Sequence, residues 1–162
     1  MLLKNTRLNH LRVLSFHLFG TLLMLIALFY LHFSTDAVLV FLVIWVVYSL
    51  PVVILHIRYL NLNKEVEYEV YSNKIVQRKS GEVKVITTTE IKKIIIYMAP
   101  NKRNSNGIQL LPFESYYYMK VVLKNGESLI ITCLLVSNLK LFMSTIQGVY
   151  YQHTRKLFCY PN

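Results

Sequence analysis

The segment EVEYEVYSNKIVQRKSGEVKVITTTEIKKIIIYM, residues 65–98, reads as four β-strands in succession. Residues 65–71 alternate strictly, with Val66, Tyr68 and Val70 on one face and Glu65, Glu67 and Glu69 on the other. That is the pattern of a half-buried strand with a wet acidic face. Ser72-Asn73 turns the chain into a second strand at 74–79, and Ser80-Gly81 turns it into a third at 83–88. Residues 91–98, rich in β-branched side chains, form the fourth.

Downstream, residues 99–107 are turn formers and basic residues, which predicts a long exposed loop. Residues 108–111 read as a short fifth strand ended by Pro112. Tyr117, Met119, Val121 and Leu123 share one face of a sixth strand, and Leu129, Ile131 and Cys133 one face of a seventh. A three-residue turn, Lys124-Asn125-Gly126 with Gly126 left-handed, brings those apolar faces into register, whereas a two-residue turn would set Val121 opposite Ile130 and mismatch them. The period then changes. Leu139, Phe142, Met143, Ile146, Val149, Tyr150 and His153 recur at helical spacing, predicting a C-terminal amphipathic helix with Ser137 as its N-cap and Gly148 as a weak point.

Upstream the chain is of another kind. Residues 13–33 and residues 37–57 each run 21 residues without an Asp, Glu, Lys or Arg, and only Ser34, Thr35 and Asp36 separate them. Each matches the hydrocarbon thickness of a bilayer, so the pair predicts an antiparallel transmembrane hairpin. The first run is longer than a signal-peptide core and no small-residue cleavage pattern follows it, which favours a retained anchor. Neither run shows the polar face of a soluble core helix. Lys4, Arg7 and Arg12 precede the hairpin, Arg58 and Lys64 follow it, and its turn carries only Asp36, so the positive-inside rule places both termini in the cytoplasm. The division expected is a basic cytoplasmic leader at 1–12, the hairpin at 13–57, a linker at 58–63, a β domain at 64–155 and a tail at 156–162.

Composition agrees. Of 162 residues, 54% are hydrophobic and only 16% charged, and mean hydropathy is +0.41, which excludes a disordered chain and suits a membrane protein. Lys and Arg number 18 against 8 Asp and Glu, a formal +10 that predicts attraction to anionic surfaces. Cys133 and Cys159 have no metal-ligand spacing and suit a reducing compartment.

Seven strands and a closing helix in just under 100 residues is the element order of the pleckstrin-homology superfold. Residues 64–154 also resemble the bacterial PH-like domains that follow a pair of membrane spans, through Tyr68-Glu69-Val70 leading across a turn to Ile75-Val76, Gly81 in the next turn, and Thr89-Glu90-Ile91 opening the following strand. The resemblance implies an α+β chain with membrane helices: a two-helix transmembrane hairpin, then a PH-like seven-stranded antiparallel sheet or barrel with a C-terminal capping helix. It implies a membrane-tethered interaction or scaffold module at the inner membrane, binding a protein partner or another copy of itself. The alternatives are an anionic-lipid sensor and a small accessory subunit of a membrane transporter or enzyme.

Candidate contact residues for anionic lipid or a partner are Lys74, Arg78, Lys79, Lys92, Lys93, Lys102 and Arg103. They depart from the phosphoinositide-binding pattern of PH domains, because the turn Ser72-Asn73-Lys74 is short. Nucleic acid is not expected, since Tyr116-Tyr117-Tyr118 is the only aromatic cluster suited to base stacking and alternation buries Tyr117. His17 and His56 fall at similar depth in the hairpin, but two histidines without further ligands do not make a metal site. Trp45 reads as a helix-packing residue, Gly20 and Ala27 as a close-approach face, and Pro51 as a kink site. No Gly-rich phosphate loop, Gly-x-Ser-x-Gly or His-Glu-x-x-His occurs, and His153 is the sole histidine of the β region, so neither catalysis nor a cofactor is expected.

Overall fold

The computed structural model describes residues 1–103 and 111–161, the side chains of Lys102 and Arg103 excepted. Two long helices come first, α1 (Arg7–Tyr30) and α2 (Thr35–Leu62). Thr6 caps α1 by accepting from the Asn9 amide, and Ser34 caps α2 by accepting from Ala37. Between them His32 and Phe33 both take φ of 51°, the left-handed geometry that reverses the chain within four residues. Both helices are long and apolar enough to cross a membrane, and their apolar windows are only 6% and 17% buried. Trp45 Nε1 donates to Thr21 Oγ1 at 3.3 Å and Tyr48 Oη to the Phe16 carbonyl at 3.4 Å, tying the two helices together. A Cβ on Gly20 would come within 2.2 Å of Tyr48 Oη, so a glycine is what lets this tyrosine lie flat against α1.

The remaining chain folds as two four-stranded sheets. The first has the order β1-β2-β3-β4, from β1 (Leu2–Leu3), β2 (Val66–Val70), β3 (Lys74–Lys79) and β4 (Glu82–Thr87), all antiparallel. The second has the order β7-β6-β5-β8, from β5 (Ile91–Met98), β6 (Tyr117–Leu123), β7 (Ser128–Thr132) and β8 (Tyr151–Arg155). A single turn, α3 (Pro100–Arg103), follows β5, a 3-10 turn at Pro112–Ser115 precedes β6, and a short helix, α4 (Leu139–Thr145), precedes β8. Tyr68, Val70, Ile75 and Ile86 of the first sheet share one core with Ile94, Ile96, Met119 and Ile131 of the second. The barrel between them is not closed.

The turns follow the local chemistry. Ser80 (φ 50°) and Gly81 (φ 88°) make the two-residue reversal that pairs Lys79 with Glu82. Lys124-Asn125-Gly126, with Gly126 at φ 91°, sets Val121 opposite Leu129 and Met119 opposite Ile131, the register that the apolar alternation demands.

Several features depart from the sequence reading, among them the cap of α4, where Asn138 rather than Ser137 accepts from the Leu141 amide at 3.1 Å. The C-terminal helix stops at Thr145; Gly148 takes φ 72°, and residues 151–155 become β8, parallel to β5. Helical periodicity loses there because Val149, Tyr150 and Tyr151 are β-prone and the edge of β5 offers a full set of backbone partners from Ile94 to Met98. Leu2 and Leu3, expected within a leader, add a strand to β2, and the Met1 carbonyl accepts from the Val70 amide at 2.7 Å. Residues 58–62, expected in a linker, are the last turns of α2. The expected fifth strand at 108–111 falls mostly outside the described residues; Leu111 itself caps the 3-10 turn.

Because Leu3 is buried and Leu2 is 61% exposed, the two should part on truncation. Leu3→Ala is expected to cost about 2–5 kcal/mol of stability and Leu2→Ala under about 0.5, measured by denaturant unfolding of the full chain in detergent.

Candidate functional site

The side of α2 that enters the β domain is a helical stripe, Ser49, Val52, Leu55 and Tyr59, all buried. Tyr59 is fully buried; its hydroxyl donates to the Cys159 carbonyl at 2.7 Å and its ring meets Tyr116 edge-on at 5.3 Å. One turn earlier on α2, His56 Nδ1 lies 2.8 Å from Tyr116 Oη, and His56 Nε2 lies 3.2 Å from His10 Nδ1 on α1. Asn9 Nδ2 reaches across to the Leu134 carbonyl at 2.8 Å, and Asn63 Nδ2 to Thr132 Oγ1 at 2.6 Å. Arg58 lies over the Tyr160 ring at 5.4 Å. Helices and sheets are therefore keyed together by side chains from both ends of the hairpin, and the β domain does not hang on a flexible tether.

His17 and His56, at similar depth in the sequence, are not in contact: His56 meets His10, while His17 stacks on Tyr48 at 5.3 Å. Among the described residues no group of three or more His, Cys, Asp or Glu is placed to hold a metal ion. Tyr116, Tyr117 and Tyr118 are all buried, so none offers its ring to a base. Burial, with Tyr97 stacked on it at 4.6 Å, pushes the Tyr118 hydroxyl up to about 12, and burial pushes Tyr68 equally far, so both stay protonated. Cys133 and Cys159 are buried thiols, and His153 lies on β8 opposite Ile96.

The described basic candidates are divided between the two sheets. Lys74, Arg78 and Lys79 lie on β3 in the first sheet and Lys92 and Lys93 on β5 in the second; the side chains of Lys102 and Arg103 fall outside the described residues. Arg78 pairs with Glu69 at 3.0 Å. The Tyr71 hydroxyl donates to the same carboxylate, and this bond first, then Arg78, holds Glu69 below the usual carboxylate range. Lys74 sits over the Tyr71 ring at 5.2 Å, and Lys93 donates to Gln152 at 3.0 Å. Arg78 and Lys79 do line a cleft of about 570 Å³ with Lys4 and Lys64, beside Glu65 and Glu67. Lys4 and Lys64 read in the sequence as cations flanking the hairpin; the β1–β2 pairing is what brings Lys4 to this cleft.

The chain belongs to the PH domain family, whose model matches residues 3–143, a stretch that takes in both long helices as well as most of the two sheets. PH domains are in general non-catalytic modules that interact with proteins or lipids. No curated protein and no solved structure matches the chain.

The junction and the surface ion pairs should differ in weight. Tyr59→Phe strands a buried carbonyl and is expected to cost about 1–3 kcal/mol. Arg78→Gln removes an exposed ion pair and is expected to cost under about 1 kcal/mol. Thermal unfolding of the full chain compares the two.

Proposed function

We propose that this protein is a membrane-anchored interaction module that holds its PH-like β domain in a fixed pose against the cytoplasmic face and recruits a protein partner or a second copy through the edge of its first sheet. The observation that carries this reading is β4. It ends the order β1-β2-β3-β4, so its outer backbone edge pairs with no strand among the described residues. It also presents Val83 and Val85 to solvent, 57% and 53% exposed. A partner strand laid on such an edge gains main-chain hydrogen bonds for affinity and contacts to alternate side chains for specificity.

The anchor is the helical hairpin, with both termini cytoplasmic. Its flanking cations Lys4, Arg7, Arg12, Arg58 and Lys64 against Asp36 in the turn favour that orientation, and the pairing of β1 with β2 requires the N-terminus to share a side with the β domain. The bacterial inner membrane is the setting that the resemblance to PH-like proteins with paired spans implies. The side chains that key α2 to the sheets make the hairpin an orienting element as well as an anchor.

Since Cys133 and Cys159 are buried, Val85→Cys supplies one exposed thiol on β4. In intact membranes a short maleimide–diazirine photocrosslinker attached to that thiol is expected to yield a crosslinked species, either twice the 19.0 kDa chain or a complex with a second protein. Pairing Val83→Lys with Val85→Lys should reduce co-purification of that partner by at least about tenfold without releasing the chain from the membrane. A thiol that reacts but yields only the uncrosslinked chain overturns the proposal.

A further inference from the structure

Two cavities flank Arg12 where α1 meets the second sheet. One, of about 440 Å³, is lined by Arg12, Ser15, Phe16 and Phe19 of α1 with Ser115 and Tyr117. The other, of about 750 Å³, runs from Arg12 and Tyr117 to Asn138, Lys140 and Met143 around α4. Tyr117 is their common wall, fixed by its hydroxyl donating to the Val136 carbonyl at 2.7 Å.

The lining is graded. Arg12, Ser15, Phe16 and Phe19 stand at i, i+3, i+4 and i+7, one face of the helix, so polarity falls along about 10 Å of rise from a guanidinium through a hydroxyl to two phenyl rings. Arg12 is the last charge before the uncharged run of residues 13–33, so in a bilayer it lies at phosphate depth while Phe19, 59% exposed, faces hydrocarbon. Beyond Arg12 the second cavity adds Lys140. Neither cation belongs to an ion pair among the described residues, whose pairs are Lys4–Glu67, Arg78–Glu69 and Lys84–Glu127, and none of the chain's acidic residues lines either cavity. Cations without carboxylates, hydroxyls beside them and aromatic rings leading away match one amphiphile with an anionic head.

We infer that this groove is a binding site for a single anionic phospholipid, its phosphate held between Arg12 and Lys140 and one acyl chain lying along Phe16 and Phe19. The site is separate from the β3 and β5 lysines and from the β4 edge. It rests on the hairpin being embedded in a membrane, which supplies both the ligand and its depth.

The test uses the full chain in mild non-ionic detergent, titrated with dioleoyl phosphatidylglycerol or dioleoyl phosphatidylcholine and read by native mass spectrometry. One phosphatidylglycerol per chain is expected to be retained in preference to phosphatidylcholine of the same acyl chains. Arg12→Gln with Lys140→Gln should weaken retention roughly 30-fold, taking about fivefold for each cation at the surface. Arg12→Lys should keep most of it, and Lys92→Gln with Lys93→Gln should leave it unchanged. An excess of inorganic phosphate should fail to displace the lipid; displacement would make this a simple anion site and overturn the proposal. Equal retention of the two lipids, or equal losses in the two double variants, also overturns it. Alkaline carbonate extraction reads the membrane premise separately: release without detergent refutes the anchor, whereas a chain that resists release yet does not select phosphatidylglycerol refutes this site alone.

Discussion

Tyr59, fully buried with its hydroxyl on the Cys159 carbonyl, marks the constraint on which the rest of the molecule depends. An α-helix of 28 residues is about 42 Å long. One face of its C-terminal half packs into the protein. Val52, Leu55 and Tyr59 give up contact with solvent or lipid to become part of the core that also holds Ile94, Met119 and Phe142. Each such side chain contributes on the order of 2 kcal/mol by burial, so detaching helix from sheet would cost much of a domain's usual stability. Hairpin and β domain consequently share one core, and the family model, residues 3–143, spans both.

That shared core also governs the sheet edges. β1 covers one edge of the first sheet and β8 covers β5 in the second, and both come from the far ends of the chain. Edge strands invite unwanted pairing, and native folds usually cover or blunt them. Here β4 keeps an uncovered edge; Ile86 holds the strand to the shared core, and the exposed Lys84–Glu127 pair adds a contact of little energetic weight. The two sheets end on β1, β4, β7 and β8, and of these end strands β4 turns two exposed valines, Val83 and Val85, outward.

How much of this was legible in the sequence depended on how local the cause was. The β3–β4 and β6–β7 hairpins were readable because a turn glycine and the apolar pattern determine register between neighbours: Met119 faces Ile131 for reasons contained in residues 117–133. The hairpin helices were readable because length and missing charge are enough. What failed was long-range. Residues 139–153 carry a true helical period, yet the last part pairs with β5 some 55 residues upstream, and backbone partners outweigh a propensity weakened at Gly148. Likewise nothing within residues 1–12 announces that Leu2 and Leu3 will lie on Glu69 and Tyr68. The His10–His56 contact was missed for the same reason: depth along the hairpin was counted from the apolar runs, while α1 begins at Arg7 and carries His10 in its first turn.

The basic residues teach a related lesson about charge. A net +10 says that the chain is drawn to anionic surfaces, but it does not say where a ligand is held. Of the candidates on β3, Arg78 is spent on Glu69 and Lys74 on the Tyr71 ring, and Lys93 on β5 is spent on Gln152. A cation already paired in the fold must break that contact to serve a ligand, so its share of any attraction is reduced by the contact's own worth. Cations that face a cavity without a carboxylate carry no such debt. Sequence counts both kinds alike, whereas the fold separates them, and the separation sets Arg12 and Lys140, neither of them conspicuous in the chain, apart from the lysine-rich strands that draw the eye first.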